Sequence, residues 1–145
     1  MKKFIVVTVM IAWVGMIGSM ALSKGGSDAR VNLSFGKHIS LKVIKGDSVD
    51  FGEIIPGNGV ITKAKATQLE VKTNDKTDWT LSVSTKVEQG DVRVLEVFSV
   101  TPEQKEGTGN RTFNVDYAID SNHPTAALLP AESYTLLVEY TASTK

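Results

Sequence analysis

From Val31 onward the chain alternates apolar and polar residues with a period of two, and that alternation commits it to β-structure. Val31, Leu33 and Phe35 alternate with polar neighbours, as do Ile39, Leu41 and Val43. Val49 and Phe51 lead into Ile54, and Leu69, Val71 and Thr73 oppose Glu70 and Lys72. Trp79, Leu81, Val83 and Thr85 share one parity. Phe113, Val115, Tyr117 and Ile119 form another set, and Tyr134, Leu136, Val138, Tyr140 and Ala142 form the cleanest. No segment in this region carries an apolar stripe at helical spacing.

Turn chemistry separates these runs. Lys45-Gly46-Asp47, Pro56-Gly57-Asn58-Gly59, Asn74-Asp75-Lys76, Gln89-Gly90-Asp91, Glu106 to Asn110 and Ser121 to Pro124 punctuate the pattern. Two stretches depart from it. Val92 to Val100 carries apolar residues on both parities, which predicts a strand covered on both faces. Between Val60 and Thr73 the apolar parity moves from even (Val60, Ala64, Ala66) to odd (Leu69, Val71), which implies a bulge or two strands, with a break near Thr67. Ala126 to Leu129 has room for a single helical turn before Pro130. About seven to nine strands at such spacing predict an all-β fold, an antiparallel immunoglobulin-like β-sandwich, with a closed barrel as the alternative.

The first 23 residues have a different character. Lys2 and Lys3 precede an apolar run from Phe4 to Ile17, and Ser19-Met20-Ala21 places small residues where a leader peptidase cuts. Residues 1–23 therefore read as a secretory signal peptide, cut after Ala21 or Ser23, and 24–145 as one domain. An uncleaved anchor is the competing reading. Export to the periplasm, cell surface or medium is the expected localisation, with the export signal as the only membrane contact.

About 122 residues remain after the leader, enough to hold a core without staples. The chain has no cysteine, so neither a disulfide framework nor a lipid-modified N-terminal cysteine is available. Loss of Lys2 and Lys3 leaves 14 basic against 16 acidic residues, which gives no electrostatic reason to expect nucleic-acid binding.

Catalytic patterns are weak throughout. Asp50-Phe51-Gly52 spells the kinase metal-binding triplet but lacks the loops that accompany it, so Phe51 reads as core and Gly52 as a strand bend. His38 and His123 lie in separate turns without metal-ligand spacing. No Gly-x-Ser-x-Gly elbow is present. The loop carboxylates Asp47, Asp50 and Glu53, Asp75 and Asp78, and Asp116 and Asp120 read as solvated turns in preference to calcium ligands. No cofactor, metal or catalytic residue is expected. Trp79 reads as a core residue, with an exposed ligand platform as the alternative.

Three blocks in order carry a resemblance: Val49 to Gly57, with Phe51, Gly52, Pro56 and Gly57; Leu69 to Val83, with Trp79 and Leu81; and Tyr134 to Ser143, with Tyr134 and Tyr140. This series resembles bacterial exported β-sandwich subunits of the fimbrial or spore-coat kind, which share a Phe-Gly-x-x-x-Pro-Gly turn and a Tyr-rich closing strand. It is also similar to Trp-x-Leu cell-surface domains, although Tyr140-Thr141-Ala142 stands where their second motif is expected. The resemblance implies a noncatalytic surface or appendage protein. Two functions follow as expectations. One is a structural subunit that self-associates or binds other surface proteins, with Val31, Leu33 and Phe35 as donor strand or, more simply, as the first strand of its own sandwich. The other is a monomeric module that binds cell-wall polymer, glycan or a partner protein through its end loops.

Overall fold

Period-two alternation pays off only when one face of each strand is buried, and two sheets stacked face to face achieve this. The structure, a computed structural model, describes Phe4–Ala12, Met20–Gly25 and Asp28–Leu33 as backbone strands, and residues 37–74 and 76–145 in full. The strands are β1 (Phe4–Ala12), β2 (Met20–Gly25), β3 (Asp28–Leu33), β4 (Ile39–Lys45), β5 (Ser48–Glu53) and β6 (Val60–Thr73). They continue with β7 (Asp78–Gln89), β8 (Phe98–Pro102), β9 (Glu106–Thr108), β10 (Arg111–Asp120) and β11 (Ser133–Thr144). A 3-10 helix (Val92–Glu96) precedes β8, and a five-residue helix α1 (Pro124–Leu128) follows β10.

One sheet runs β5-β1-β11-β7-β9 and the other β4-β6-β10-β8; β2 and β3 form a separate ribbon. Pairing is antiparallel except between β1 and β11, which run parallel. The all-β sandwich read from the alternation is the observed architecture.

The core lies between the sheets. Leu69, Val71, Phe113, Val115, Tyr117 and Ile119 from one sheet meet Trp79, Leu81, Tyr134, Leu136, Val138 and Tyr140 from the other. Aromatic pairs lock the layers together: Trp79 stacks on Phe113 at 5.8 Å, and Phe51 meets Phe98 edge-on at 6.4 Å.

A chain of buried hydroxyls also crosses the core. Thr67 Oγ1 donates to the Gly46 carbonyl at 2.8 Å and lies 2.8 Å from the Tyr117 hydroxyl, which lies 2.7 Å from that of Tyr140. A carbonyl can only accept, so the proton directions are fixed in turn. Thr67 gives its proton to Gly46, Tyr117 gives to Thr67, and Tyr140 gives to Tyr117.

Of the alternatives for 60–73 the bulge is present and the break near Thr67 is not, and the expectation for Val92–Val100 is corrected. The segment 60–73 is one continuous strand in which Ile61, Lys63, Thr67, Leu69 and Val71 stand opposite odd residues of β10; Thr67, Leu69 and Val71 are buried, Lys63 is exposed, and the even-numbered Ala66 packs against the core at the bulge. Val60 is 63% exposed, so its apolar side chain misled the parity reading. The register shift is real but keeps the phase. Residues 64–66 bulge across Asp116, whose carboxylate accepts the Lys65 amide at 2.7 Å while Lys65 holds φ 50°. The expected two-faced strand over Val92–Val100 is instead the 3-10 helix followed by β8. Asp91 caps that helix by accepting the Arg93 amide, and Val94 and Val97, three apart, are both buried.

Candidate functional site

Strand β1 lies between β5 and β11 in the five-stranded sheet, in a slot that these two strands flank. Ile5, Val6, Val7, Thr8, Val9 and Ile11 make it rich in β-branched residues, which suits an extended backbone. In register, Ile5 stands beside Tyr134, Val7 beside Leu136, Val9 beside Val138 and Ile11 beside Tyr140. On the other side Val6 pairs with Asp50, Val7 with Val49 and Thr8 with Ser48. A shift between Phe4 and Val6 accommodates a bulge at Phe51-Gly52, where Gly52 takes φ 68° and its amide donates to Asp50 Oδ1 at 2.7 Å. Gly52 thus bends the strand while Phe51, 7% exposed, stays in the core.

The slot walls are firmly built. On β11, Tyr134, Leu136, Val138 and Tyr140 are buried, and β7 pairs along the strand's far edge. The Tyr134 hydroxyl donates to the Pro130 carbonyl at 2.8 Å, tying the start of β11 to the preceding loop as in a tyrosine corner. Burial pushes the Tyr134 phenol up to about 12 and raises those of Tyr117 and Tyr140 as well. All three stay neutral hydrogen-bonding groups at ordinary pH. No proton-transfer chemistry follows from them.

The residues expected to start the domain are placed elsewhere than expected. Val31 and Leu33 lie in β3, whose ladder partner is β2, with Val31 opposite Leu22 and Leu33 opposite Met20. Strand β3 pairs with β2 and with neither main sheet. Phe35 lies outside the described residues.

A second opening lies on the other flank. Strand β7 has 12 residues, but β9 pairs only with Asp78–Thr80. Beyond that point a cleft of about 460 Å³ opens between the sheets, lined by Leu81, Val83, Thr85, Leu95, Phe98, Val100 and Lys105. Leu81 donates its amide to the Lys105 carbonyl at 2.7 Å, closing the cleft at one end.

The remaining singled-out residues serve the fold. Trp79 is fully buried, and its indole nitrogen donates to the Gly109 carbonyl at 2.9 Å, so it presents no platform. Pro56 and Gly57 are exposed and form the centre of a turn closed by Asn58 N to Ile55 O, with Gly57 at φ 89°, the type II pattern. Asp75 lies outside the described residues, and the other loop carboxylates form no metal-holding group. Asp50, Asp116 and Asp120 accept nearby backbone amides, and Asp78 accepts the Thr108 hydroxyl. Among the described residues, no three acidic or histidine side chains are grouped to hold a metal. His123 caps α1 by accepting the Thr125 amide.

Sequence reading missed β1 as a strand because the positive start and apolar run matched an export leader; its β-branched composition was the available signal. It also missed Thr67, a polar residue in the core whose role depends on long-range partners. Comparison with protein-family models, curated proteins and solved structures finds no match to this chain.

Proposed function

We propose that this chain is an exported, noncatalytic structural subunit of the cell surface, of fimbrial-like kind, which associates with copies of itself by strand addition. One observation carries the reading. The strand that completes the five-stranded sheet, Phe4–Ala12, lies inside the segment that reads as a cleavable leader. Cleavage would leave β5 and β11 as facing edges about two strand spacings, roughly 9–10 Å, apart. Such a slot presents unpaired backbone groups and an uncovered part of the core, so it demands a strand. The N-terminal arm, Lys24 to Phe35, is the donor, with Val31, Leu33 and Phe35 at period two.

The reading predicts that residues 24–145, purified after export, give a ladder of multimers that survives cold detergent and collapses on boiling. A monomer that sediments with isolated cell wall would replace it with the second reading, a binding module for wall polymer or glycan. The cleft beside β7 is the observation that favours this second reading.

A further inference from the structure

We infer that Asn58-Gly59 is a latent modification site, a pair able to convert to isoaspartate, and that Asn122 and Ser121 hold it shut in the folded chain. This is independent of how copies of the chain associate.

The reactive pair is set by the turn. Gly59 takes φ 85°, a conformation that calls for glycine, and the residue before it is an asparagine. Glycine has no Cβ to shield its own nitrogen, so this is the least hindered setting for ring closure. The Gly59 nitrogen attacks Asn58 Cγ and loses its proton to water, while the side-chain nitrogen takes up a proton and leaves as ammonia. Water then opens the cyclic succinimide. Opening at the former side-chain carbonyl restores the main chain with an aspartate. Opening at the main-chain carbonyl gives isoaspartate, whose backbone runs through the side chain and is longer by a methylene.

Asn58 is exposed, and its side chain makes no hydrogen bond to any described residue, so nothing withholds Cγ. The restraint lies on Gly59. Its amide donates to Asn122 Oδ1 at 3.1 Å, and its carbonyl accepts the Ser121 amide at 3.0 Å and the Ser121 hydroxyl at 2.6 Å. The Gly57 amide adds a further tie to the Ser121 carbonyl at 2.8 Å. To reach Cγ, the Gly59 nitrogen must swing with its peptide plane about the Asn58 Cα–C bond, and that swing breaks the bond to Asn122. Ser121 is 2% exposed, so the anchor on the Gly59 carbonyl is fixed in the fold. Ring closure therefore waits for the turn to lift off the loop between β10 and α1, an opening far smaller than unfolding. Conversion to isoaspartate then makes the opening permanent, because the added methylene carries Gly59 out of the clamp.

The test ages the full chain at mildly alkaline pH and follows the Asn58 peptide by mass spectrometry, with isoaspartate counted by enzymatic methylation. In urea the chain should convert as fast as free peptide 54–62, and the native chain about tenfold more slowly or less. Asn122→Ala should speed the native chain about three- to tenfold, the gain in opening from one lost hydrogen bond, while amide exchange in β6 and β10 stays unchanged. Asn122→Asp keeps an acceptor for the Gly59 amide and should retain the slow rate. Gly59→Ala, read in urea where its backbone strain plays no part, should convert more slowly than the parent chain. A native rate equal to that in urea would overturn the clamp, as would Asn122→Ala converting no faster than the parent. No isoaspartate at Asn58 even in urea would overturn the site itself.

Discussion

Replacing Tyr117 with phenylalanine removes a single oxygen atom but strands two partners. The Tyr140 hydroxyl loses its acceptor at 2.7 Å, and Thr67 loses the proton it accepts at 2.8 Å. All three residues have 0% relative exposure, so water cannot replace what is lost. A buried donor left without a partner costs about 1–3 kcal/mol, and with the second broken bond the loss for Tyr117→Phe comes to about 2–4 kcal/mol. Tyr140→Phe should be milder. Tyr140 stands at the donating end of the chain, so removing its hydroxyl leaves no proton unsatisfied and costs only about 0.5–1.5 kcal/mol. The double variant Tyr117→Phe/Tyr140→Phe removes the orphaned donor and should therefore be less destabilised than the two single losses added together. Urea unfolding measures all three by their midpoints. In a domain of this size each kcal/mol also moves the melting temperature by about 3–6 °C. Tyr140→Phe costing as much as Tyr117→Phe, or strict additivity in the double variant, would refute the assigned proton directions.

Three other outcomes are expected. Gly107→Ala places a methyl group 2.6 Å from the Trp79 ring and should cost about 1–3 kcal/mol in urea unfolding, whereas a neutral result would mean the ring has room to move. Gly90→Ala combines φ 102° with a contact of 2.4 Å to the Tyr134 ring, so its melting temperature should fall and its β11 amides should exchange faster; unchanged β11 exchange counts against the close packing there. For pH, the phenol pKa values are raised on folding, from about 10 in the unfolded chain. Their contribution is fully present below about pH 10 and, for Tyr134, is lost as pH climbs toward about 12. Since the chain has three tyrosines, all buried, tyrosinate absorbance should lag behind a free-tyrosine titration and appear with unfolding. A free-tyrosine curve from a still-folded protein would show the rings exposed.

The sheets were largely legible because burial on one face writes itself into alternate residues. The run from Tyr134 to Ala142 became β11, and that from Phe113 to Ile119 lies in β10. Val92 to Val97 was not legible, since a single 3-10 turn is too short to display its own period. Val60 misled because an exposed valine on a strand carries the same letter as a buried one. Thr67 reads as a surface residue until Gly46 and Tyr117 are brought to it from elsewhere in the chain. The slot was the least legible feature. Its filling strand is written in the same apolar residues as an export leader, and only its pairing with β5 and β11 reveals the second role.

Hydrogen exchange on the chain with and without residues 1–23 tests that second role most directly. With Phe4–Ala12 in place, the amides of β5 and β11 along Ser48–Glu53 and Ser133–Thr141 should be protected on both edges of β11. In dilute, monomeric 24–145, alternate amides of β11 and their counterparts in β5 should lose protection by at least an order of magnitude, while β6 and β10 hold. Added peptide 28–35 should restore it. Identical exchange in the two chains, with no response to the peptide, would contradict the slot.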